Sequence, residues 1–347
     1  MINNNKLWNF TTGIVLQDVV YLMCRDYAVL VAMDFNSGEY LWIRKVPNED
    51  YDTFHGSWRI ISIENKLVIV PFNFRFIHIY DIANDRWDKV DFEGSRKNAN
   101  QYSEAFVHEN KVIMIGAVVN NILSLDINNY EKKVINSYFA GLDSLKYYYC
   151  RGGYVNIDDC IYIPLSCRCE VLKLSLKEYD YEVIHISNQQ PGFSGISFDG
   201  MHYWMPSRIN STVNIFDKEF RRIDMVELSS PGHQEECKLE GAYMYQDHIY
   251  IHGQDGEDTY IIDKDSKKMT KMDAPLLFLY SDNGFLIGQY NDGSLFFKME
   301  EKEKRIYPVI NNDIKREFYG MIKQEILYGR TLNETEEIGL MDFLSFL

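Results

Sequence analysis

The chain repeats one short phrase seven times, and this repeat limits the fold more than any other feature of the sequence. In each copy, an acidic or amide-rich pair of turn residues is followed at once by a short apolar run. The copies occupy residues 16–22, 63–69, 108–114, 157–163, 198–204, 245–251 and 280–287. Successive turns are separated by 36 residues (Asp247 to Asn283) to 49 residues (Asn110 to Asp159), which is the period range of propeller blades. The repeat therefore predicts seven blades.

The second copy shows best what one repeat contains, namely four short β runs at residues 58–63, 67–70, 76–81 and 87–91. Turn residues such as Glu64-Asn65 separate these runs. Four strands make one blade, and a blade can bury its apolar faces only against its neighbours. We therefore predict an all-β fold, a seven-bladed β-propeller of four-stranded antiparallel blades, over residues 1–310.

One run resembles the kelch family of propellers. Residues 77–87 read Ile-His-Ile-Tyr-Asp-Ile-Ala-Asn-Asp-Arg-Trp, with the apolar residues, the Tyr80-Asp81 pair, the turn and the Trp87 of a kelch repeat. The sequence departs from the family where kelch repeats carry two glycines after the second strand, because Pro71-Phe72 and Gly116-Ala117 stand there. The resemblance covers roughly residues 12–310 and implies a degenerate kelch-like architecture. It implies no particular activity, since propellers host many functions.

The two ends of the chain leave two questions open. The first strand (12–17) has the pattern of the innermost strand of a blade, and the last (305–310) that of an outermost strand, so one continuous segment could build every blade. Alternatively, residues 6–10 add a strand that joins the first blade to the last. After residue 310, apolar residues recur at helical spacing behind a possible Asn312-Asp313 cap, and Thr331–Glu334 reads as a capping box for a second helix. We predict a helical tail over residues 311–347, which either packs on the propeller or docks on a partner.

Charge and composition restrict the partners. The chain has 36 Lys and Arg against 51 Asp and Glu, a net charge of −15, so its average surface repels phosphate backbones and anionic lipids. We therefore expect no nucleic acid and no membrane as partner. The amino-terminal residues lack the pattern of a signal peptide, and no apolar stretch is long enough to cross a bilayer, which predicts a cytoplasmic protein. The six cysteines are then expected to be free thiols.

Functional residues are expected where the connections between blades and the loops between second and third strands emerge, a surface that we call the loop face. Several arginines stand there although the chain is acidic, and guanidinium groups suit carboxylates and phosphates. The alternative is that each arginine pairs with a neighbouring acid. Histidine, glutamate and tyrosine at the same face could move protons. The predicted site residues are Arg59, Arg75, Arg151, Arg168, Arg208, His55, Trp58, Tyr102, Glu104, His233 and Glu240.

The sequence contains no phosphate-binding loop, no hydrolase elbow and no paired metal-ligand motif. Cys167 and Cys169 form one close pair without the second pair that zinc requires, so we expect no metal and no cofactor. We predict a non-catalytic propeller that holds a protein, a peptide or an anionic ligand on its loop face, as a subunit or scaffold of a larger complex. The alternative is an enzyme that acts in the central pocket on an anionic carbohydrate or a similar metabolite, as an epimerase, lyase or hydrolase. Sugar-acid epimerases among kelch-like propellers support this alternative by analogy.

Overall fold

The structure is a computed structural model. It describes residues 8–50, 53–92, 101–117, 121–136, 153–165, 168–187, 192–208, 210–228, 239–253, 257–282, 284–300 and 302–327. The chain divides into two compact units. The terminal unit comprises Met1–Ala99 and Ile287–Leu347, and the middle unit comprises Asn100–Leu286.

The described strands form seven antiparallel sheets, each built from four strands that are consecutive in the sequence. Sheet 1 contains β1 (Phe10–Leu16), β2 (Val19–Cys24), β3 (Val29–Asp34) and β4 (Tyr40–Lys45). Sheet 2 contains β5 (Ser57–Ile63), β6 (Lys66–Pro71), β7 (Ile77–Asp81) and β8 (Arg86–Val90). Sheet 3 contains β9 (Tyr102–His108), β10 (Lys111–Gly116), β11 (Ile122–Asp126) and β12 (Lys132–Asn136). Sheet 4 contains β13 (Val155–Ile157), β14 (Cys160–Leu165), β15 (Glu170–Ser175) and β16 (Tyr181–His185).

The remaining three sheets follow the same plan. Sheet 5 contains β17 (Ser197–Phe198), β18 (Tyr203–Pro206), β19 (Thr212–Phe216) and β20 (Arg222–Glu227). Sheet 6 contains β21 (Leu239–Tyr245), β22 (His248–Gly253), β23 (Thr259–Asp263) and β24 (Met269–Lys271). Sheet 7 contains β25 (Leu276–Asp282), β26 (Phe285–Tyr290), β27 (Leu295–Met299) and β28 (Lys302–Ile306). The predicted seven blades of four strands are confirmed, and β5–β8 lie within one residue of the runs predicted for the second blade.

The repeated phrase forms the hairpin between the first and second strands of each sheet. Its first turn residue adopts a left-handed backbone in Gln17, Glu64, Glu109 and Gln246, with φ between 53° and 55°. Two-residue hairpin turns need a positive φ because only such turns match the twist of the paired strands. The repeated phrase therefore encodes a tight hairpin turn. The longer loops lie at the opposite ends of the same strands.

The cores lie between consecutive sheets. In the terminal unit, Leu30 of sheet 1 packs with Ile69 of sheet 2, and both are fully buried. In the middle unit, Ile113 of sheet 3 and Leu172 of sheet 4 belong to one buried cluster, and similar clusters join sheets 4 and 5 and sheets 5 and 6. Because each sheet buries its apolar face against a neighbour, the loops between sheets are held on a rigid support.

Contacts inside the terminal unit join the beginning of the chain to β26 and to the segment after β28. The buried side chain of Gln289 accepts a hydrogen bond from the amide of Phe10 at 2.8 Å and donates one to the carbonyl of Trp8 at 2.9 Å. Val309 forms a parallel bridge with Glu39 beside β4. Within the described residues, each sheet comes from one continuous segment, and residues 8 and 9 do not belong to a strand. The lacing strand predicted as an alternative is thus not formed there; residues 1–7 lie outside the described part of the chain.

A helix, α1 (Asn312–Leu327), follows the last sheet. The predicted cap was one residue too late, because the side chain of Asn311 accepts the hydrogen bond from the amide of Ile314 at 2.9 Å. Phe318 is fully buried, and its ring lies 4.9 Å from that of Trp8, so α1 packs on the terminal unit. The second predicted helix lies outside the described residues. No helix in the part that the structure describes is long and apolar enough to cross a membrane.

Candidate functional site

Three loops meet on the loop face of the terminal unit: the β2–β3 loop, the connection from β4 to β5, and the β6–β7 loop. The amide of His55 donates to the carbonyl of Arg25 at 2.7 Å, which joins the first two loops. The carbonyl of Gly56 accepts hydrogen bonds from the amides of residues 72, 73 and 74 at 2.9, 3.0 and 3.2 Å, which joins the second and third. The loops thus form one surface that is held by backbone hydrogen bonds.

Four rings on these loops and at the start of β5 form a continuous aromatic cluster, here called the aromatic shelf: Phe54, His55, Trp58 and Phe72. The rings of Phe54 and His55 stack at 3.9 Å, His55 meets Trp58 edge-on at 4.5 Å, and Trp58 meets Phe72 edge-on at 5.3 Å. The guanidinium of Arg25 lies 5.6 Å from the centre of the Phe54 ring. Phe54 remains 50% exposed, so the shelf offers an apolar ring beside a cation to the solvent.

A buried carboxylate anchors the loop beside the shelf. One oxygen of Glu49, Oε1, accepts hydrogen bonds from the amides of Arg75 and Phe76 at 2.8 and 3.1 Å and lies 2.9 Å from Nε2 of His78. Both side chains of the Glu49–His78 pair are almost completely buried. Burial lowers the pKa of His78 against the opposing effect of Glu49, so the ring is neutral near pH 7 and donates its Nε2 proton. Glu49 therefore fixes the backbone of the β6–β7 loop.

The predicted arginines that the structure describes are all engaged with their surroundings. Arg59 is 6% exposed and donates to the carbonyl of Trp58 at 3.2 Å, while the guanidinium of Arg75 lies 5.4 Å from the ring of Phe76. Both belong to the terminal unit. In the middle unit, Arg168 pairs with Glu170 at 3.7 Å, and the backbone amide of Arg208 donates to the carbonyl of Gly192 at 3.2 Å. Their convergence on one ligand stays a prediction. Arg151 and His233 lie outside the described residues.

The predicted acid–base residues are spread over the first strands of sheets 3 and 6. Tyr102 is fully buried, its hydroxyl donates to Asn121 at 3.0 Å, and burial raises its pKa. Glu240 lies 3.8 Å from Nε2 of His252, and both side chains are largely buried. Glu104 is fully buried in β9. Of these residues, Glu104 is the one that lines a described cavity.

That cavity has a volume of about 410 Å³ and is lined by residues on or next to the first strands of sheets 3 to 7, all in the middle unit. Glu104 carries the only charge among its described lining residues. Ser197 is 3% exposed, lines the cavity, and its hydroxyl has no hydrogen-bond partner among the described residues. Ser197, Asn156 and Ser281 each stand two residues before the repeated hairpin turn, so the repeat register could have identified them. Among the described residues, no group of three or more His, Cys, Asp or Glu could hold a metal ion.

Comparison with known proteins establishes the fold. No protein-family model and no curated protein matches the chain. A solved structure of a catalytically inactive virginiamycin B lyase from Staphylococcus aureus with quinupristin aligns with a TM-score of 0.63, at 7% identity, over 85% of this chain and 95% of that one. The WD40 repeats of RRP9 align with a TM-score of 0.60, at 10% identity, over 82% and 88%. U3-55K aligns with a TM-score of 0.57, at 11% identity, over 87% and 96%.

These likenesses rest on shape at very low identity, so they support the fold and not an activity. The chain is a seven-bladed β-propeller. Both an enzyme and WD40 repeats stand among the similar propellers, so the fold does not choose between catalysis and binding. The kelch-like character of the repeats stays a prediction.

Proposed function

We propose that this propeller is a binding protein whose loop face holds a protein or peptide partner, with the aromatic shelf as the anchor. The observation that carries the proposal is the half-exposed ring of Phe54, stacked on His55 and held by loops that are hydrogen-bonded to one another. Rigid aromatic side chains lose little conformational entropy on binding and are frequent hot spots of interfaces.

The shelf fits a partner segment with an apolar side chain next to a carboxylate. The apolar group would lie on Phe54 and Trp58, and the carboxylate would reach Arg25, whose side chain is partly exposed beside Asp26. The Arg25 guanidinium has five N–H donors, so it can donate hydrogen bonds to a second carboxylate besides Asp26. This arrangement gives an acidic partner a local cation on a chain with a net charge of −15.

Replacing Phe54 or Trp58 with alanine is expected to weaken partner binding by about tenfold or more, as is usual for aromatic hot spots. Partners recovered by affinity purification and quantitative mass spectrometry with the wild-type chain would be lost with either variant. The affinity would then be measured by calorimetry with the purified partner. Tyr307→Ala is the matched control, because this ring in the same unit is 57% exposed and lies outside the shelf. If all variants recover the same partners equally, the shelf is excluded as the binding site.

A second candidate function is supported by the cavity that contains Glu104. A fully buried carboxylate and an unpartnered serine hydroxyl in a cavity of about 410 Å³ are suited to a small ligand and to proton transfer. The described lining offers no cation, so it favours a neutral or cationic ligand over the anionic metabolite predicted from the arginines. An enzyme of the lyase kind, as in the similar virginiamycin B lyase, would be one outcome.

The Glu104→Gln variant tests this candidate. A metabolite panel that contains anionic, neutral and cationic compounds is expected to yield a ligand that raises the Tm of the wild type, since a ligand at about 100 times its Kd adds roughly 2.7 kcal/mol. The same ligand is expected to leave the Tm of Glu104→Gln unchanged. Glu182→Gln, at an exposed position in the same unit, is the control. Ligands that act equally on Glu104→Gln, or that are exclusively anionic, would count against the candidate.

A further inference from the structure

A second cavity lies between sheets 4 and 5 of the middle unit, with a volume of about 610 Å³, and we call it the side groove. It runs along β19, where Thr212, Asn214 and Phe216 point to the same side because successive strand residues alternate. Phe216 and the buried Phe220 form its apolar floor at one end, and Met225, which is 41% exposed, forms its outer wall. Its volume is typical of a ligand site.

The side chain of Asn214 is the central polar group of the side groove. Asn214 is 8% exposed and stands on β19 opposite Met225 on β20. Its carboxamide forms no hydrogen bond within the part of the chain that the structure describes. The oxygen and nitrogen of this carboxamide are not fully enclosed, so they reach the open volume of the side groove. The carboxamide is therefore available to form hydrogen bonds with a ligand in the side groove.

The two ends of the side groove differ in charge. At the Phe216 end, Arg222 forms no ion pair among the described residues, whereas its neighbour Arg221 is paired with Asp217 and Glu219. At the opposite end, Thr212 stands across the strand pair from Glu227. An unpaired guanidinium in an acidic chain suits a carboxylate.

We propose that the side groove binds an extended acidic peptide segment of a partner protein. A carboxamide offers both an acceptor and donors, which is the complement of a peptide unit with its own N–H and C=O. From Thr212 to Phe216 the groove follows the strand for about 13 Å, the length of roughly four residues of an extended chain. Alternate residues of such a chain repeat at the spacing of Thr212, Asn214 and Phe216, and an acidic side chain near the Phe216 end would reach Arg222.

This inference does not rest on the aromatic shelf, and the test keeps the two apart. A library of displayed heptapeptides would be selected on the full chain, and the selected peptides would be synthesised and titrated by fluorescence anisotropy. We expect peptides rich in Asp or Glu. Asn214→Leu is expected to weaken their binding by about tenfold, because two hydrogen bonds are lost. Arg222→Gln is expected to remove the preference for acidic residues. Arg86→Gln, the matched control at an exposed and paired arginine of sheet 2, and Phe54→Ala, in the shelf, are expected to leave the affinity within about twofold.

The thermal stability of Asn214→Leu separates a binding role from a structural one. Because leucine has a similar size and the carboxamide of Asn214 bonds to no described residue, the Tm of the free variant is expected to equal or exceed that of the wild type. A fall in Tm would show that Asn214 is structural and would overturn the proposal. So would a selection in which no peptide depends on Asn214. Equal affinity for a capped single amino acid and for a heptapeptide would overturn the peptide as occupant in favour of a small molecule.

Discussion

Replacing Glu49 with alanine is expected to lower the free energy of unfolding by about 4 kcal/mol, because one buried and two partly buried donors lose their acceptor at once. These donors are the amides of Arg75 and Phe76 and Nε2 of His78, at 2.8, 3.1 and 2.9 Å from the same oxygen. Urea unfolding followed by tryptophan fluorescence would measure the loss.

Glu49→Gln separates the effect of the acceptor from the effect of the charge. Glutamine keeps an oxygen at the position of Oε1, and a neutral His78 can still donate to it, so the cost is expected to fall to about 1 kcal/mol. Glu182→Ala is the control, because this exposed glutamate forms a surface ion pair with Lys173, which is worth about 0–1 kcal/mol. If Glu49→Gln is as unstable as Glu49→Ala, the pair acts through its charge and the assignment of a neutral His78 is wrong.

The same pair predicts how stability depends on pH. The folded state lowers the pKa of His78, chiefly through burial, while the unfolded chain binds the proton near the usual value of 6.5. Below about pH 6.5 the unfolded state therefore binds more protons than the folded state. The stability that comes from a neutral His78 is complete at neutral pH. It is lost as the pH falls towards the lowered pKa, by up to about 1.4 kcal/mol per pH unit. In His78→Phe this contribution is absent, and its unfolding free energy is expected to fall less between pH 7 and pH 5.

The blade pattern was predictable because its chemistry is local. Besides the hairpin phrase, an aspartate recurs at the end of the third strand, and it has the same role in several sheets. Asp34, Asp81 and Asp263 accept hydrogen bonds from residues two or three positions later in the turn that follows. Bonds from Ser37, Asn84 and Ser266 hold the pKa of these carboxyls below its usual value. Turn chemistry of this kind can be read from adjacent residues.

The partners of the arginines were not predictable, because they depend on the direction of each side chain. Arg168 stands two residues before Glu170, so it could either pair with this acid or face a ligand. In the structure the two side chains form an ion pair. Arg59 instead turns towards the backbone of Trp58. The position of the loop face can be predicted because it follows from strand direction. Whether an arginine binds an anionic ligand or pairs with a neighbouring acid depends instead on its rotamer and on contacts between loops.

The sequence does contain a signal for the buried polar residues that our sequence analysis missed. His78 and Asn214 each stand three residues before the repeated aspartate of their sheet, Asp81 and Asp217. The same position in other sheets holds apolar or aromatic residues, namely Val31, Leu123, Leu172 and Tyr260. A polar residue at a position that the repeat reserves for the core needs a partner. His78 has Glu49 from a distant loop, and Asn214 has none inside the described chain, which is why only the second suggests a ligand.

Replacing Gly192 with alanine is expected to lower the free energy of unfolding by about 3 kcal/mol and to abolish peptide binding in the side groove. An added Cβ would lie 2.6 Å from the carbonyl oxygen of Leu165 and closer still to that of Arg168. Both are backbone atoms, so no side-chain rotation can relieve the clash, and overpacking of this kind costs about 1–3 kcal/mol or more. The loop from β14 to β15 must then move, together with the Arg208 amide that is bonded to Gly192.

The same substitution at Gly320 is expected to have the opposite sign, which makes it the control for Gly192→Ala. Gly320 lies in the interior of α1, it is exposed, and nothing lies within 4 Å of an added Cβ. Alanine there is expected to stabilise the protein by about 0.5–1 kcal/mol, because glycine loses more backbone freedom in a helix. Urea unfolding measures both variants, and anisotropy with a selected peptide reports on the groove. If Gly192→Ala unfolds at the same urea concentration as the wild type, the loops of sheets 4 and 5 can separate without cost, and the side groove lacks the rigid wall that peptide binding requires.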